Sequence, residues 1–200
     1  KIAGGTIVDG TGKDRFAGDI GVKNGRIVAV GNVEAEAART INATGRIVTP
    51  GFVDIHTHYD AQIIWDPSLS ISPWHGVTSV VMGNCGFSIA PTRQHQRDLI
   101  LRTLERVEGM SLEALRTGVG DSFPLDTFAA YLEAIEARGT LINVGFYVGH
   151  TPVRLFVMGE EAVEREATED EITEMCRIVR EAREAGAFGF TTSLSRTQHA

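Results

Sequence analysis

His56 and His58 stand one residue apart at the end of Gly51-Phe52-Val53-Asp54-Ile55-His56-Thr57-His58. On a β-strand alternate side chains share a face, so the two imidazoles project to the same side at the carboxyl end of the run. Such a pair either converges on a metal ion or caps the loop that follows. Cys85 adds a third donor type, in Gly83-Asn84-Cys85-Gly86, where the flanking glycines let the chain turn tightly. A thiolate binds zinc at ~2.3 Å and is held deprotonated by the metal, whereas a cysteine without one is a small buried hydrophobe. Cys176 reads as the second kind, on the apolar stripe of a helix; Cys85 falls at the end of a strand instead. Asp60, two residues past His58, either orients a ligand histidine or is an ordinary acidic loop residue.

These donors need elements to hold them. Residues 1–50 alternate short Val/Ile pairs with turn residues, and Lys23-Asn24-Gly25-Arg26 between two apolar runs is an Asn-Gly hairpin signal, so this part reads as a small antiparallel β element. After Pro50-Gly51 the rhythm changes. Strand candidates at 52–58, 78–84, 141–149 and 187–193 are apolar on both faces, as parallel strands covered by helices are. Between them lie helices around 94–107, from Phe128 to a stop at Gly139, and from a capping box at Thr168 and Glu171 to Gly186. The last has Ile172, Met175, Cys176, Val179 and Ala182 as its expected buried stripe. Four strand-then-helix units in a row give a parallel α/β architecture, barrel or open sheet. A closed eight-stranded barrel takes ~250 residues, so the sequence reads as a fragment of one.

Composition removes several classes of function. A net charge of −7 and only three lysines, Lys1, Lys13 and Lys23, argue against nucleic acid or an anionic membrane surface as partner. Residues 67–92 carry no charged side chain, but Pro67, Pro73 and Pro91 break any apolar run of the ~20 residues a bilayer needs, so this stretch is expected to be buried in a soluble fold. Two cysteines cannot form a disulfide framework and no basic-led apolar segment opens the chain, which makes a cytoplasmic location the expectation.

The run from Gly51 to Asp60 resembles the first-strand signature of the amidohydrolase superfamily. Trp74-His75-Gly76-Val77-Thr78, Met82-Gly83-Asn84-Cys85-Gly86, Gly149-His150 followed by Arg154, and Gly189-Phe190-Thr191-Thr192-Ser193 are similar to its D-aminoacylase branch, the N-acyl-D-amino-acid deacylases. The resemblance implies a TIM-type metal-dependent hydrolase barrel, with residues 1–50 as the N-terminal part of a β-sandwich and residues 51–200 as about the first four βα units. It also implies a zinc site of one or two ions with His56, His58 and Cys85 as ligands. The cysteine would replace the carbamylated lysine of hydantoinase-like members, and residues 51–200 contain no lysine to carbamylate. Asp60, Asn84, His150 and Ser193 are the candidates for substrate-side or supporting roles. The catalytic aspartate is expected beyond Ala200. His75, His95 and His199 are expected to be structural or exposed. The implied reaction is hydrolysis of an N-acyl-D-amino acid, a small-molecule substrate. A cyclic-amide hydrolase or deaminase on the same fold, or a non-catalytic scaffold, is the alternative. Acyl group, side-chain preference and oligomeric state are not legible in these residues.

Overall fold

The computed structural model describes residues 1–193. The chain divides into two compact units, Lys1–Gly51 and a second that begins at Phe52.

In the first unit β1 (Ile2–Ile7), β2 (Phe16–Lys23) and β3 (Arg26–Gly31) form an antiparallel meander, and β2 and β3 are joined by the expected Asn24-Gly25 turn, with both residues at positive φ. The expectation of a purely antiparallel element needs correction. Two short strands, β4 (Ile41–Asn42) and β5 (Ile47–Val48), pair with β1 in parallel, so the five-stranded sheet is mixed. Parallel pairing follows because the chain crosses back from β3 instead of turning directly beside β1.

The second unit is built on four parallel strands in chain order, β6 (Phe52–Asp54), β7 (Val77–Met82), β8 (Asn143–Gly149) and β9 (Gly189–Thr191). Their order and direction match the strand candidates; their lengths do not, and β6 and β9 each hold only three residues. The helices are α1 (Gln62–Trp65), α2 (Ile71–Trp74), α3 (Arg97–Glu108), α4 (Leu112–Val119), α5 (Phe128–Arg138), α6 (His150–Met158) and α7 (Glu169–Glu184). Val80, Met82, Phe146 and Val148 on the strands pack with Ile100, Leu104, Leu115, Tyr131, Ile135 and Ile178 on the helices in one core. Phe52 and Val53 remain exposed, so β6 is not covered on both faces as its composition suggests.

Two further expectations are adjusted. Thr168 and Glu171 do form a reciprocal capping box at the start of α7. Cys176, however, is exposed rather than buried. The buried side of α7 is set by Ile178 and Ala182, flanked by Met175 and Val179. At ~100° per residue Cys176 stands roughly 110° from the centre of that stripe. Ile172 is exposed as well. The charge-free stretch is buried from Val80 to Thr92, apart from half-buried Cys85 and Phe87, but Ile71 and Trp74 to Gly76 are exposed.

Candidate metal centre

All four parallel strands end on the same side, so the segments that follow them share one rim. His56 and His58 follow β6, Cys85 follows β7, His150 opens α6 after β8, and Thr192 and Ser193 follow β9. The histidines lie past the end of β6, in a loop, and strict strand alternation does not fix them. Their convergence is secured by hydrogen bonds to the neighbouring strand. Thr57 donates its N–H at 3.0 Å and its hydroxyl at 2.8 Å to Val81 O, which seats the residue between the histidines against the end of β7. Asn84 donates its side-chain amide to Thr57 O at 3.1 Å and to Val81 O at 3.0 Å. Buried Asp60 accepts the Gly83 N–H at 3.0 Å. Asp60 and Asn84 therefore tie the histidine loop to the cysteine turn.

The turn itself demands glycine. At Gly83 φ is +81°, and a Cβ there would lie 2.0 Å from Tyr147 O on β8. Cys85 adopts the left-handed conformation, φ 56° and ψ 18°, which is costly for a residue with a side chain and persists only where the surroundings impose it. The result is a close group. His56 Nε2 lies 3.2 Å from Cys85 Sγ, the two imidazoles are 5.5 Å apart between centroids, and one ligand atom from each of His56, His58 and Cys85 falls within 4.8 Å of the others.

Whether these residues suit a metal can be tested on their own geometry. Tetrahedral zinc with bonds of ~2.0–2.3 Å separates its ligand atoms by roughly 3.3–3.8 Å, so the group needs to close by about one ångström at its widest. His58 Nδ1 is buried with no hydrogen-bond partner, an arrangement that costs ~1–3 kcal/mol if left unrelieved. Burial, and secondarily the neighbouring His56, lowers the pKa of His58, which favours the neutral imidazole that metals bind. Imidazole and thiolate are the donor types that suit zinc. The group fits.

The other candidates divide. His150 Nδ1 lies 3.0 Å from Thr192 Oγ1 and its ring packs 5.7 Å from Phe190, on the same rim. Ser193 is half-buried just beyond β9. Arg154 donates to Ala162 O at 2.7 Å and Arg165 O at 2.5 Å, holding the chain between α6 and α7. His75 and His95 are exposed, away from the group; His199 lies outside the described residues. One residue that the sequence did not single out is Thr191. Its hydroxyl accepts the Gly86 N–H at 3.1 Å and donates to Gly83 O, at both ends of the cysteine turn.

The chain is similar to known proteins over nearly its whole length. The amidohydrolase family matches residues 39–199. An N-acyl-D-glutamate deacylase of Alcaligenes xylosoxydans xylosoxydans is 39% identical over 97% of the chain and 37% of its own length. A D-aminoacylase of the same organism is 35% identical over 96% of the chain and 37% of its own length. Among solved structures, a D-aminoacylase with a binuclear metal centre aligns over 100% of the chain and 40% of its own, at 36% identity and a TM-score of 0.83. The N-acyl-D-glutamate deacylase of Bordetella bronchiseptica, complexed with zinc and a phosphonate mimic of the tetrahedral intermediate, aligns over 96% of the chain and 38% of its own, at 38% identity and a TM-score of 0.77. The chain thus spans about two-fifths of the length of these relatives. With its parallel α/β sheet and its match over most of its length, the chain belongs to the amidohydrolase family.

Proposed function

We propose that the protein is a zinc-dependent deacylase that hydrolyses the amide bond of N-acyl-D-amino acids, releasing a carboxylate and the free amino acid. The observation that carries this reading is the approach of His56, His58 and Cys85 to one another at the carboxyl rim of parallel strands. Residues 51–200 are then the first half of a (β/α)8 barrel, and residues 1–50 the N-terminal part of a β-sandwich. Four consecutive parallel strands with intervening helices support the first assignment, and the five-stranded sheet of the first unit supports the second.

His56, His58 and Cys85 would hold the one or two ions of the site. When bound, zinc would supply Lewis-acid polarisation of the scissile carbonyl and acidification of water towards a pKa of ~7. The chain's own residues do the rest. Asp60 and Asn84 hold the donors in place, because a ligand bonded to the second strand cannot swing out with its loop. His150, supported by Thr192 and set at the first residue of α6, faces the rim as a hydrogen-bonding group for substrate, with Ser193 next to Thr192 in the chain. The proton on its way from water to the leaving amine needs a carboxylate with access to the rim; Asp60 is not that group, being buried against Gly83 N–H. A cytoplasmic location suits a thiolate ligand that must stay reduced; among the described residues no helix is long and apolar enough to cross a membrane.

The test is metal analysis of the full-length protein combined with assay on paired N-acetyl-D- and N-acetyl-L-amino acids and on a hydantoin. Zinc-dependent release of D-amino acid is expected. Ring opening of the hydantoin without deacylation would favour the cyclic-amide reading, and no turnover with no bound metal would favour the scaffold.

A further inference from the structure

The segment that carries Cys85 lies across the end of the third strand. Gly83 approaches Tyr147 O so closely that a Cβ would sit 2.0 Å from it, and a Cβ on Gly149 would sit 2.6 Å from Gly86 O. Two glycines, one on each partner, make this crossing possible. It brings the turn within reach of the fourth strand, more than a hundred residues away in sequence. There Thr191 Oγ1 accepts the Gly86 N–H at 3.1 Å and donates to Gly83 O, so one hydroxyl closes the turn on both sides of Cys85. From the other flank Asp60 holds the Gly83 N–H.

We propose that Thr191 is a positioning residue for Cys85: its hydroxyl fixes the left-handed turn that aims the sulfur at His56 and His58. The inference rests on the reading of Cys85 as a metal ligand for its functional meaning, though not for its geometry. A left-handed cysteine relaxes to a commoner conformation once its neighbours release it. Rotation about φ at Cys85 would carry Sγ away from His56 Nε2, at present 3.2 Å distant. Valine at position 191 keeps the shape and the strand preference of threonine while removing both hydrogen bonds. Serine keeps the hydroxyl and loses only a methyl group.

The experiment compares wild type, T191V and T191S in the full-length protein by three readouts. Zinc affinity is measured by competition with a chelator. The sulfur-to-metal charge-transfer absorption is recorded after cobalt substitution. In metal-free protein, the ratio of iodoacetamide labelling at Cys85 to that at exposed Cys176 is measured by mass spectrometry. T191V is expected to bind zinc about tenfold or more weakly, as loss of a supporting group typically does. It should also lose intensity in the charge-transfer band and raise the Cys85 labelling ratio, while T191S behaves as wild type. Should T191V not fold, T191A takes its place, since it lacks the hydroxyl and cannot clash. A hydroxyl-free variant with unchanged labelling ratio, affinity and spectrum overturns the inference. Wild-type protein that takes up no zinc overturns the metal assignment instead, and the labelling ratio alone then decides the role of Thr191.

Discussion

Cys85 and Cys176 are chemically the same residue in opposite circumstances. Cys85 is half-buried in a strained turn beside two imidazoles; Cys176 is exposed on a helix. Serine is nearly the size of cysteine but has a much higher pKa and is a poor zinc ligand. Cys85→Ser in the full-length protein should therefore leave circular dichroism unchanged, while zinc content and deacylation fall by about two orders of magnitude or more. Cys176→Ser should change stability by no more than about 0.5 kcal/mol and leave turnover intact, since surface substitutions away from special features do little. Full zinc content and full turnover in Cys85→Ser would reduce the cysteine to packing. The two histidines and Cys85 were legible from residue type and from their placement at strand ends. Thr191 was not, because a threonine at the end of a strand gains meaning only when a turn from another strand is known to cross to it. Asp60 was visible as a carboxylate close to the ligands, but that it bonds a backbone N–H two residues before Cys85 needs the fold.

At the scale of elements, α7 shows how a local sequence signal becomes tertiary structure. Thr168 caps the helix, and Glu171 returns to the Thr168 N–H at 2.8 Å while also pairing with Arg165 through two bonds of 2.8 and 2.7 Å. Arg165 is in turn joined to α6, because its carbonyl accepts from Arg154. The Arg165 guanidinium, followed by the Thr168 N–H, lowers the Glu171 pKa from 4.5 to about 2. A carboxylate with a depressed folded-state pKa contributes stability that is complete above its unfolded value and is lost as pH falls through the folded one. Denaturant titrations of wild type and Glu171→Gln should accordingly show a gap that is constant above about pH 5 and narrows as pH falls from 4.5 towards 2. A gap that does not narrow would mean that the pairing is not electrostatic. The capping box was readable because its two residues are three apart. The stripe of α7 was misjudged because Ile172 and Cys176 are apolar residues at nearly helical spacing, and only packing against α5 and α6 selects which side is covered. Short α4 and α6 went unseen for a similar reason: α6 begins directly at Gly149-His150, with no gap after the strand to announce it.

At the scale of the molecule, each unit leaves apolar surface that its own residues do not cover. In the second, β6 and β9 are the outer strands of the sheet, each with one side unpaired among the described residues, and Phe52, Val53, Ile55, Phe188 and Phe190 are all at least 45% exposed. In the first, Val22, Ile27, Val28, Val30 and Ile47 are exposed in the same way. Unpaired parallel edges bordered by aromatic and β-branched side chains are templates for association, and natural proteins protect such edges with charge, proline or a covering element. On β6 the one charge is exposed Asp54, and residues 51–200 contain no lysine to serve that purpose. Residues 1–200 expressed alone should therefore self-associate at micromolar concentration. Light scattering after size exclusion should give masses above the 21.6 kDa of one chain, and a hydrophobic dye should bind to a preparation that still shows α/β circular dichroism. Association should weaken when exposed Phe52 and Val53 on β6 are replaced by Lys and Thr, because charge at an edge opposes pairing. A monomer with one sharp unfolding transition and no dye binding would show that these faces are tolerated by water, and would remove the exposed edges as an argument that the two units belong to a larger barrel and sandwich.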